Sequence, residues 1–202
     1  MHSIYKYLIA PKGDRYENTI DVAGQEIVIN NDVYNHQYVS RTAIIKALPS
    51  GFDSPLEIGD EVIVHHNIFR RWYDQRGVAR NSSSFIDEET YMCGHDQIYM
   101  YRRNGGAWTG FSDSCFVSPV KEDNVLLGED EVERAGVLEV ANKTLRDLGL
   151  KEGDVVGFTP NSEFEFVVEG QRMYRMRNRD ICLKYKDTEY EKYIPSWVLS
   201  MS

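Results

Sequence analysis

The sequence has few cysteines and no surplus of basic residues. Its three cysteines, Cys93, Cys115 and Cys182, are widely spaced and form no CxxC pair. This pattern gives weak support to a zinc site and none to a disulfide framework, and it indicates reduced thiols in a reducing compartment. The net charge of -9 argues against a nucleic-acid partner, because general nucleic-acid binders usually carry excess Lys and Arg.

Long apolar runs and familiar catalytic motifs are also missing. No apolar run approaches the roughly 20 residues of a membrane helix, and Tyr5–Ala10, bounded by Pro11, is too short for a signal-peptide core. We therefore expect a cytoplasmic protein with no membrane partner. There is no Ser-His-Asp spacing, glycine-rich phosphate loop or HExxH motif. We expect no enzyme, no catalytic residue and no cofactor.

What the chain does contain is a repeat. Residues 59–64, Gly-Asp-Glu-Val-Ile-Val, recur at 153–158 as Gly-Asp-Val-Val-Gly-Phe. Each copy follows an apolar strand-like run, and each is followed by a polar stretch and an aromatic-rich strand. A repeat of about half the chain predicts two similar small β domains. We place the boundary in the flexible stretch Asn104–Ala107, which gives domains 1–104 and 105–202.

Short runs of β-branched and aromatic residues, broken by Gly, Asn, Asp and Pro, predict an all-β fold. A hairpin is expected across Glu169-Gly170, and Asn142–Leu148 predicts a helical turn that ends at Gly149. The predicted strands are Tyr5–Ala10, Arg41–Leu48, Glu61–Asn67, Gln97–Arg102, Cys115–Ser118, Gly136–Val140, Asp154–Phe158, Glu163–Val168, Gln171–Met176 and Asp180–Tyr185.

In this order the segments resemble two tandem units of the GroES co-chaperonin family, whose divergent members include phage-encoded ones. The segments that carry the resemblance are Tyr7–Pro11, Arg41–Ala47 and Leu56–Val62 in the first unit, and Cys115–Pro119, Gly136–Val140, Leu150–Phe158 and Gly170–Ile181 in the second. The resemblance implies two tandem GroES-like irregular β-barrels. It also implies a homo-oligomer that caps an ATP-bound group I chaperonin ring, assists protein folding and hydrolyses nothing itself.

The family binds its chaperonin through a mobile loop with an apolar tip. Ala23–Asn31 is similar to that tip, so the resemblance assigns partner binding to Ile27, Val28 and Ile29. Burying three such side chains yields roughly 1.5–3 kcal/mol each, and ordering the loop removes about 2–5 kcal/mol or more. One loop is therefore a weak ligand, and a ring of loops gains avidity. The alternative is a plain strand that pairs with Thr19–Val22 in a hairpin.

The first unit also carries an insertion within Phe69–Glu89, where arginines and aromatic residues are interleaved in an otherwise acidic chain. Such residues are enriched at protein interfaces and also stack on single-stranded nucleic acid. The acidic net charge favours a contact between subunits or with a protein partner, and a solvated loop is the plain alternative. The candidate interface residues are Phe69, Arg70, Arg71, Trp72, Tyr73 and Arg76.

Some features favour a different role, that of a GroES-like structural protein such as a viral capsid decoration or assembly component. Asn124–Gly128 in the second unit is a poor match to an apolar tip, and Pro49–Pro55 is too short for the family's roof hairpin. The interleaved insertion and the aromatic stretch Tyr190–Trp197 would suit docking on a lattice. A phage-encoded protein of either kind would be found in the host cytoplasm or the virion.

A histidine cluster offers the remaining candidate chemistry. His65 and His66 are adjacent, with Cys93 and His95 further along the chain. Neighbouring residues on a strand point to opposite faces, so these two histidines are not expected to share one ion. We therefore expect no metal site.

Overall fold

The structure is a computed structural model that describes residues 3–15, 19–22, 25–28, 39–122 and 130–186. The chain divides into two compact units, Met1–Ala107 and Trp108–Ser202. The division falls directly after Ala107, the last residue of the stretch in which the sequence places the domain boundary. Each unit has its own sheet and its own buried core.

In the first unit, strands β10, β5, β4, β1, β9 and β8 lie side by side in that order, and every recorded pairing among them is antiparallel. The pairs β2–β3 and β6–β7 form separate two-stranded sheets. The strands are β1 (Tyr7–Pro11), β2 (Thr19–Val22), β3 (Gln25–Val28), β4 (Thr42–Ala47), β5 (Glu61–Val64), β6 (Arg71–Tyr73), β7 (Ala79–Asn81), β8 (Phe85–Asp87), β9 (Thr90–Cys93) and β10 (Ile98–Arg102).

The second unit forms a six-stranded antiparallel sheet in the order β15, β16, β12, β13, β14, β17. Its elements are β11 (Thr109–Gly110), β12 (Ser114–Glu122), β13 (Asp130–Val140), α1 (Lys143–Asp147), β14 (Val155–Phe158), β15 (Phe164–Val168), β16 (Gln171–Arg177) and β17 (Ile181–Lys184). Asn142 caps α1 by accepting a hydrogen bond from the Leu145 N–H at 3.0 Å. Gly149, with φ of 84°, follows the end of this single turn.

The two units share one strand order. In the first unit the order is β10, β5, β4, β1, β9, β8, and in the second it is β17, β14, β13, β12, β16, β15. The two orders correspond strand by strand. A 3-10 turn precedes the closing strand in both, at His95–Gln97 and at Asn178–Asp180. The sequence repeat is thus a repeat of topology.

The all-β prediction is confirmed, and each of the ten predicted strands overlaps an observed one. Glu169 and Gly170 have φ values of 52° and 76°, as the turn of a tight β15–β16 hairpin requires. Among the described residues neither strand order closes on itself. Two open antiparallel sheets are therefore established, and the tandem barrels stay a prediction.

Each unit buries a set of apolar side chains. In the first unit the largest fully buried ones include Tyr7, Ile45, Ile63, Phe69 and Tyr91. The main cluster of the second unit contains Cys115, Val117, Leu138, Ala141, Leu145, Val156, Phe158, Tyr174 and Met176. Burying a large apolar side chain contributes roughly 1.5–3 kcal/mol, so these two cores provide the main stabilisation of the units.

Candidate partner-binding site

The predicted partner-binding segment lies in the connection between β1 and β4. Ile27 and Val28 belong to β3, whose partner is β2, with Ile27 opposite Ile20 and Val28 opposite Thr19. This is the pairing that the hairpin alternative expects. Ile29 lies outside the described residues. A contact between these three residues and a partner stays a prediction.

The two ends of this connection are held together on the sheet. The N–H of Ser40 donates to the carbonyl oxygen of Arg15 at 2.9 Å, and the N–H of Lys12 donates to that of Thr42 at 3.0 Å. Arg15 and Ser40, which flank the connection, therefore lie side by side on the first unit. Both ends of the connection are anchored on the sheet of the first unit, and binding loops are commonly anchored on a rigid scaffold of this kind.

Arg15 joins the root of the connection to the insertion. Only 9% of this arginine is exposed. Its Nη2 donates to the carbonyl oxygen of Phe69 at 2.9 Å, both Nη atoms lie 3.2 Å from Asn81 Oδ1, and Nη1 lies 3.3 Å from Glu88 Oε2. The guanidinium carbon also lies 5.2 Å from the centre of the Tyr91 ring. A buried charge needs several such partners, and the insertion supplies them.

Sequence reasoning missed Arg15 for a physical reason. The residues that its guanidinium contacts, Phe69, Asn81 and Glu88, lie 54, 66 and 73 positions away along the chain. No local spacing or motif can show such a contact. The only sequence signal is an arginine shortly after an apolar strand, and that is also common on solvated surfaces.

The six candidate interface residues range from fully buried to exposed. Phe69 has no exposed surface, and its ring meets that of Tyr91 edge-on at a centroid distance of 4.8 Å, so it is a core residue. Arg70 and Arg71 are half-buried. Trp72 is 46% exposed, and Tyr73 and Arg76 are exposed as well. The part of this segment that is accessible to a partner therefore begins after Phe69.

The exposed residues lie on a short hairpin made of β6 and β7, in which Trp72 is opposite Arg80. Asp74 builds the turn: its Oδ1 accepts the N–H groups of Arg76 at 2.9 Å and Val78 at 3.0 Å, and its Oδ2 lies 2.9 Å from Arg80 Nη2. These hydrogen bonds, led by the one from Val78, hold the pKa of Asp74 below its usual value. The tip of this Arg-aromatic hairpin (residues 71–81) is therefore fixed by its own contacts.

The repeated Gly-Asp turns are built alike in both units, from local bonds. Asp60 Oδ2 accepts the N–H of Glu57 at 2.8 Å, and Asp154 Oδ2 accepts that of Lys151 at 2.8 Å. Each carboxylate also meets a cation, Arg103 at 2.9 Å from Asp60 and Lys184 at 2.6 Å from Asp154. The two turns thus stabilise the fold, and the charge of each aspartate is paired with a cation of its own unit.

The pKa values of both aspartates are lowered. Burial alone would raise the pKa of Asp60, but the hydrogen bonds from Arg103 and from the N–H of Glu57 outweigh it. Burial of Asp154 is likewise outweighed, by Lys184 and the N–H of Lys151. Both carboxylates are therefore ionised at neutral pH.

The side chains of His65 and His66 are oriented differently from the sequence-based expectation. The rings of His65 and His66 stack at a centroid distance of 4.4 Å, because β5 ends at Val64 and His66 begins a 3-10 turn. The premise that they point to opposite faces was wrong. Across the described parts of the chain, no group of three or more His, Cys, Asp or Glu is arranged to hold a metal ion.

The thiols are all free. Cys93 and Cys115 are buried, and burial raises the pKa of Cys115 to about 12 and that of Cys93 further. These two thiols are therefore poor nucleophiles, while Cys182 is exposed. None of the helices described is both long and apolar enough to cross a membrane.

Comparison with known proteins gives no match: neither the models of known families nor the curated proteins match this sequence. Support for a function therefore comes from the repeated topology, the rooted connection and the exposed hairpin.

Proposed function

We propose that this protein is a co-chaperonin-like protein that caps a group I chaperonin ring in the cytoplasm and assists protein folding. It would bind the ATP-bound ring through Ile27, Val28 and Ile29 and carry out no chemistry of its own. In this proposal the two sheets are the walls of two tandem GroES-like barrels.

The observation that carries the proposal is the shared strand order of the two units. In each unit an apolar strand is followed by a connection, a second strand, a Gly-Asp turn, a third strand and, after a hairpin, a closing strand. This is the order that the resemblance implies, and it occurs twice in one chain. This support for the resemblance comes from the order of the elements and does not depend on any single motif.

The position of the apolar segment supports the binding role. Ile27 and Val28 lie between β1 and β4, where the family carries its loop, and the connection is rooted by the bond between Ser40 and Arg15. A single short apolar segment gives weak binding once its ordering cost is subtracted. The function therefore requires several copies that engage a ring together.

The test is co-elution with a bacterial group I chaperonin on size exclusion, with and without ADP. The wild-type protein should co-elute only with nucleotide, and Val28→Glu should abolish this because a carboxylate cannot enter an apolar groove without a large desolvation cost. Leu148→Glu, the same kind of change at an exposed site in the second unit, is the matched control and should bind normally. Equal binding by Val28→Glu and the wild type, or no binding by the wild type, would refute the proposal.

A second candidate is a structural role, as a viral capsid decoration or assembly component. The exposed Arg-aromatic hairpin favours it, because Trp72 and Arg76 are surface residues of the kind that anchor protein interfaces. Recovery of the protein in purified virus particles, with loss from particles on Trp72→Ala, would support this role. Its presence only as a free oligomer would argue against it.

A further inference from the structure

The Arg-aromatic hairpin presents exposed apolar and basic side chains on the surface of the first unit. β6 and β7 pair with each other in a two-stranded sheet of their own, in which Trp72 is opposite Arg80. Trp72 and Val78 are nearly half exposed. Arg76, at the tip, makes no ion pair within the described residues. Exposed tryptophan and arginine on a fixed hairpin are typical of interface anchors.

A surface of complementary character lies on the second unit, along β15. This strand is at one end of the sheet order and pairs only with β16 among the described strands. Phe164 is 47% and Val167 is 40% exposed. Exposed, partly apolar edge strands are usually covered, because they otherwise invite association.

The charges of the two surfaces are opposite. Glu163, Glu165 and Glu169 are exposed along β15 and its ends. Glu165 is already paired with Arg172 at 2.9 Å, whereas Glu163 makes no ion pair in the described parts of the chain. The other end of the same sheet, β17 (Ile181–Lys184), contains no carboxylate, and its Lys184 is already paired with Asp154, so this strand offers no partner to an arginine-bearing hairpin. Within this sheet, β15 is therefore the edge that suits the hairpin.

We propose that the Arg-aromatic hairpin of one molecule docks on the β15 edge of a second copy of this chain. Trp72 of the hairpin would cover Val167, and Arg76 would lie against Glu163, whose position in the strand alternation puts it on the same face as Val167. Both halves of the contact are present on every copy, which is the argument for a second copy over an unrelated partner. Charge complementarity also offsets the self-repulsion of a chain with net charge -9.

Such a contact is heterologous, since it joins two different surfaces. Heterologous contacts generate a closed ring when the rotation between copies closes, and an open filament when it does not. The inference goes beyond the proposed function and needs no chaperonin. It identifies residues that would assemble the oligomer which either candidate role would use.

Sedimentation velocity of the full chain over a concentration series, without chaperonin, tests the contact. The wild-type protein should self-associate. Arg76→Glu should weaken the association at least about tenfold, because it places like charges together at the contact. Arg179→Glu, an equal charge change at an exposed residue that belongs to neither the hairpin nor β15, is the matched control and should leave it unchanged. The double variant Arg76→Glu/Glu163→Arg should restore association, because both surfaces then carry exchanged charges.

Any of three results would overturn the proposal: a monomeric wild type at the highest concentration reached, equal weakening by Arg76→Glu and Arg179→Glu, or no restoration in the double variant. Circular dichroism of each variant distinguishes a lost contact from a lost fold. Val28→Glu should sediment as the wild type does, so failure of chaperonin binding and failure of this contact are distinguishable.

Discussion

The side chain of Arg15 donates a 2.9 Å hydrogen bond from Nη2 to the carbonyl oxygen of Phe69. This bond links the residue at the root of the β1–β4 connection to the start of the insertion. The same guanidinium also contacts Asn81 and Glu88, which follow further along that insertion. The two segments that distinguish the first unit from the second are thus held by one arginine.

Replacing Arg15 should destabilise the first unit. Arg15→Ala leaves the carbonyl oxygen of Phe69 and the side chain of Asn81 without their donor, and we expect a loss of about 3 kcal/mol in the free energy of unfolding. Arg15→Lys keeps the charge but not the fork of donors, so it should lose less. Urea unfolding measures both, and faster exchange of the Ser40 amide would localise the effect. An unchanged unfolding curve for Arg15→Ala would contradict this account.

Phe69 and Trp72, three positions apart in the insertion, should respond very differently to truncation. Phe69→Ala removes a fully buried ring that packs on Tyr91, and should cost about 3–5 kcal/mol. Trp72→Ala removes a ring that is half exposed, and should cost no more than about 1 kcal/mol. Denaturant titrations of the two variants compare them directly. Similar losses would show that the assignment to core and surface is wrong.

The parts of the fold that the sequence could predict are the local ones. Short runs of β-branched and aromatic residues located ten strands, and the two Gly-Asp turns showed the repeat, because both signals depend on neighbouring residues. The strands β6 to β9 were not predicted. The strands β6, β7 and β8 contain only three residues each, too few to show a pattern, and β9 contains only four.

The candidate surface was predicted only in part, for a related reason. Composition identified the interleaved arginines and aromatics, but it could not tell that Phe69 is buried while Trp72 is exposed, since burial depends on the packing of β9. The assumption that His65 and His66 lie on a strand was wrong, because β5 ends at Val64, directly before the pair. The burial of Phe69 is decided by a contact that is distant in sequence, and a single sequence does not show such contacts.

Asp60 and Asp154 should make the stability of the protein sensitive to acid. Their pKa values in the folded chain lie below the ordinary value of 3.8, so their contribution is present above pH 3.8 and is lost as pH falls through the folded-state pKa. Asp60→Asn removes the charge that Arg103 meets and should cost about 1.5–3 kcal/mol at neutral pH.

Urea unfolding at neutral pH and at several values below 3.8 measures this effect. The difference between Asp60→Asn and the wild type should shrink as the pH falls, because the wild-type carboxylate becomes protonated. Asp154→Asn should behave in the same way with a smaller amplitude, since Asp154 is less buried than Asp60. A difference that does not change with pH would show that the ion pairs do not contribute.

Gly59 and Gly153 provide a matched test of the repeat. Their φ values are 93° and 92°, a conformation that side-chain-bearing residues rarely adopt, and an added Cβ would meet nothing within 4 Å at either position. Alanine at each site should therefore cost only backbone strain, about 1–2 kcal/mol, and the cost should be the same in both units.

Native-state hydrogen exchange can measure the stability of each unit separately. The Ile45 amide, bonded to the Asp60 carbonyl oxygen, should report Gly59→Ala, and the Leu138 amide, bonded to that of Asp154, should report Gly153→Ala. Unequal losses would mean that the two turns, though alike in geometry, are held differently by the units around them.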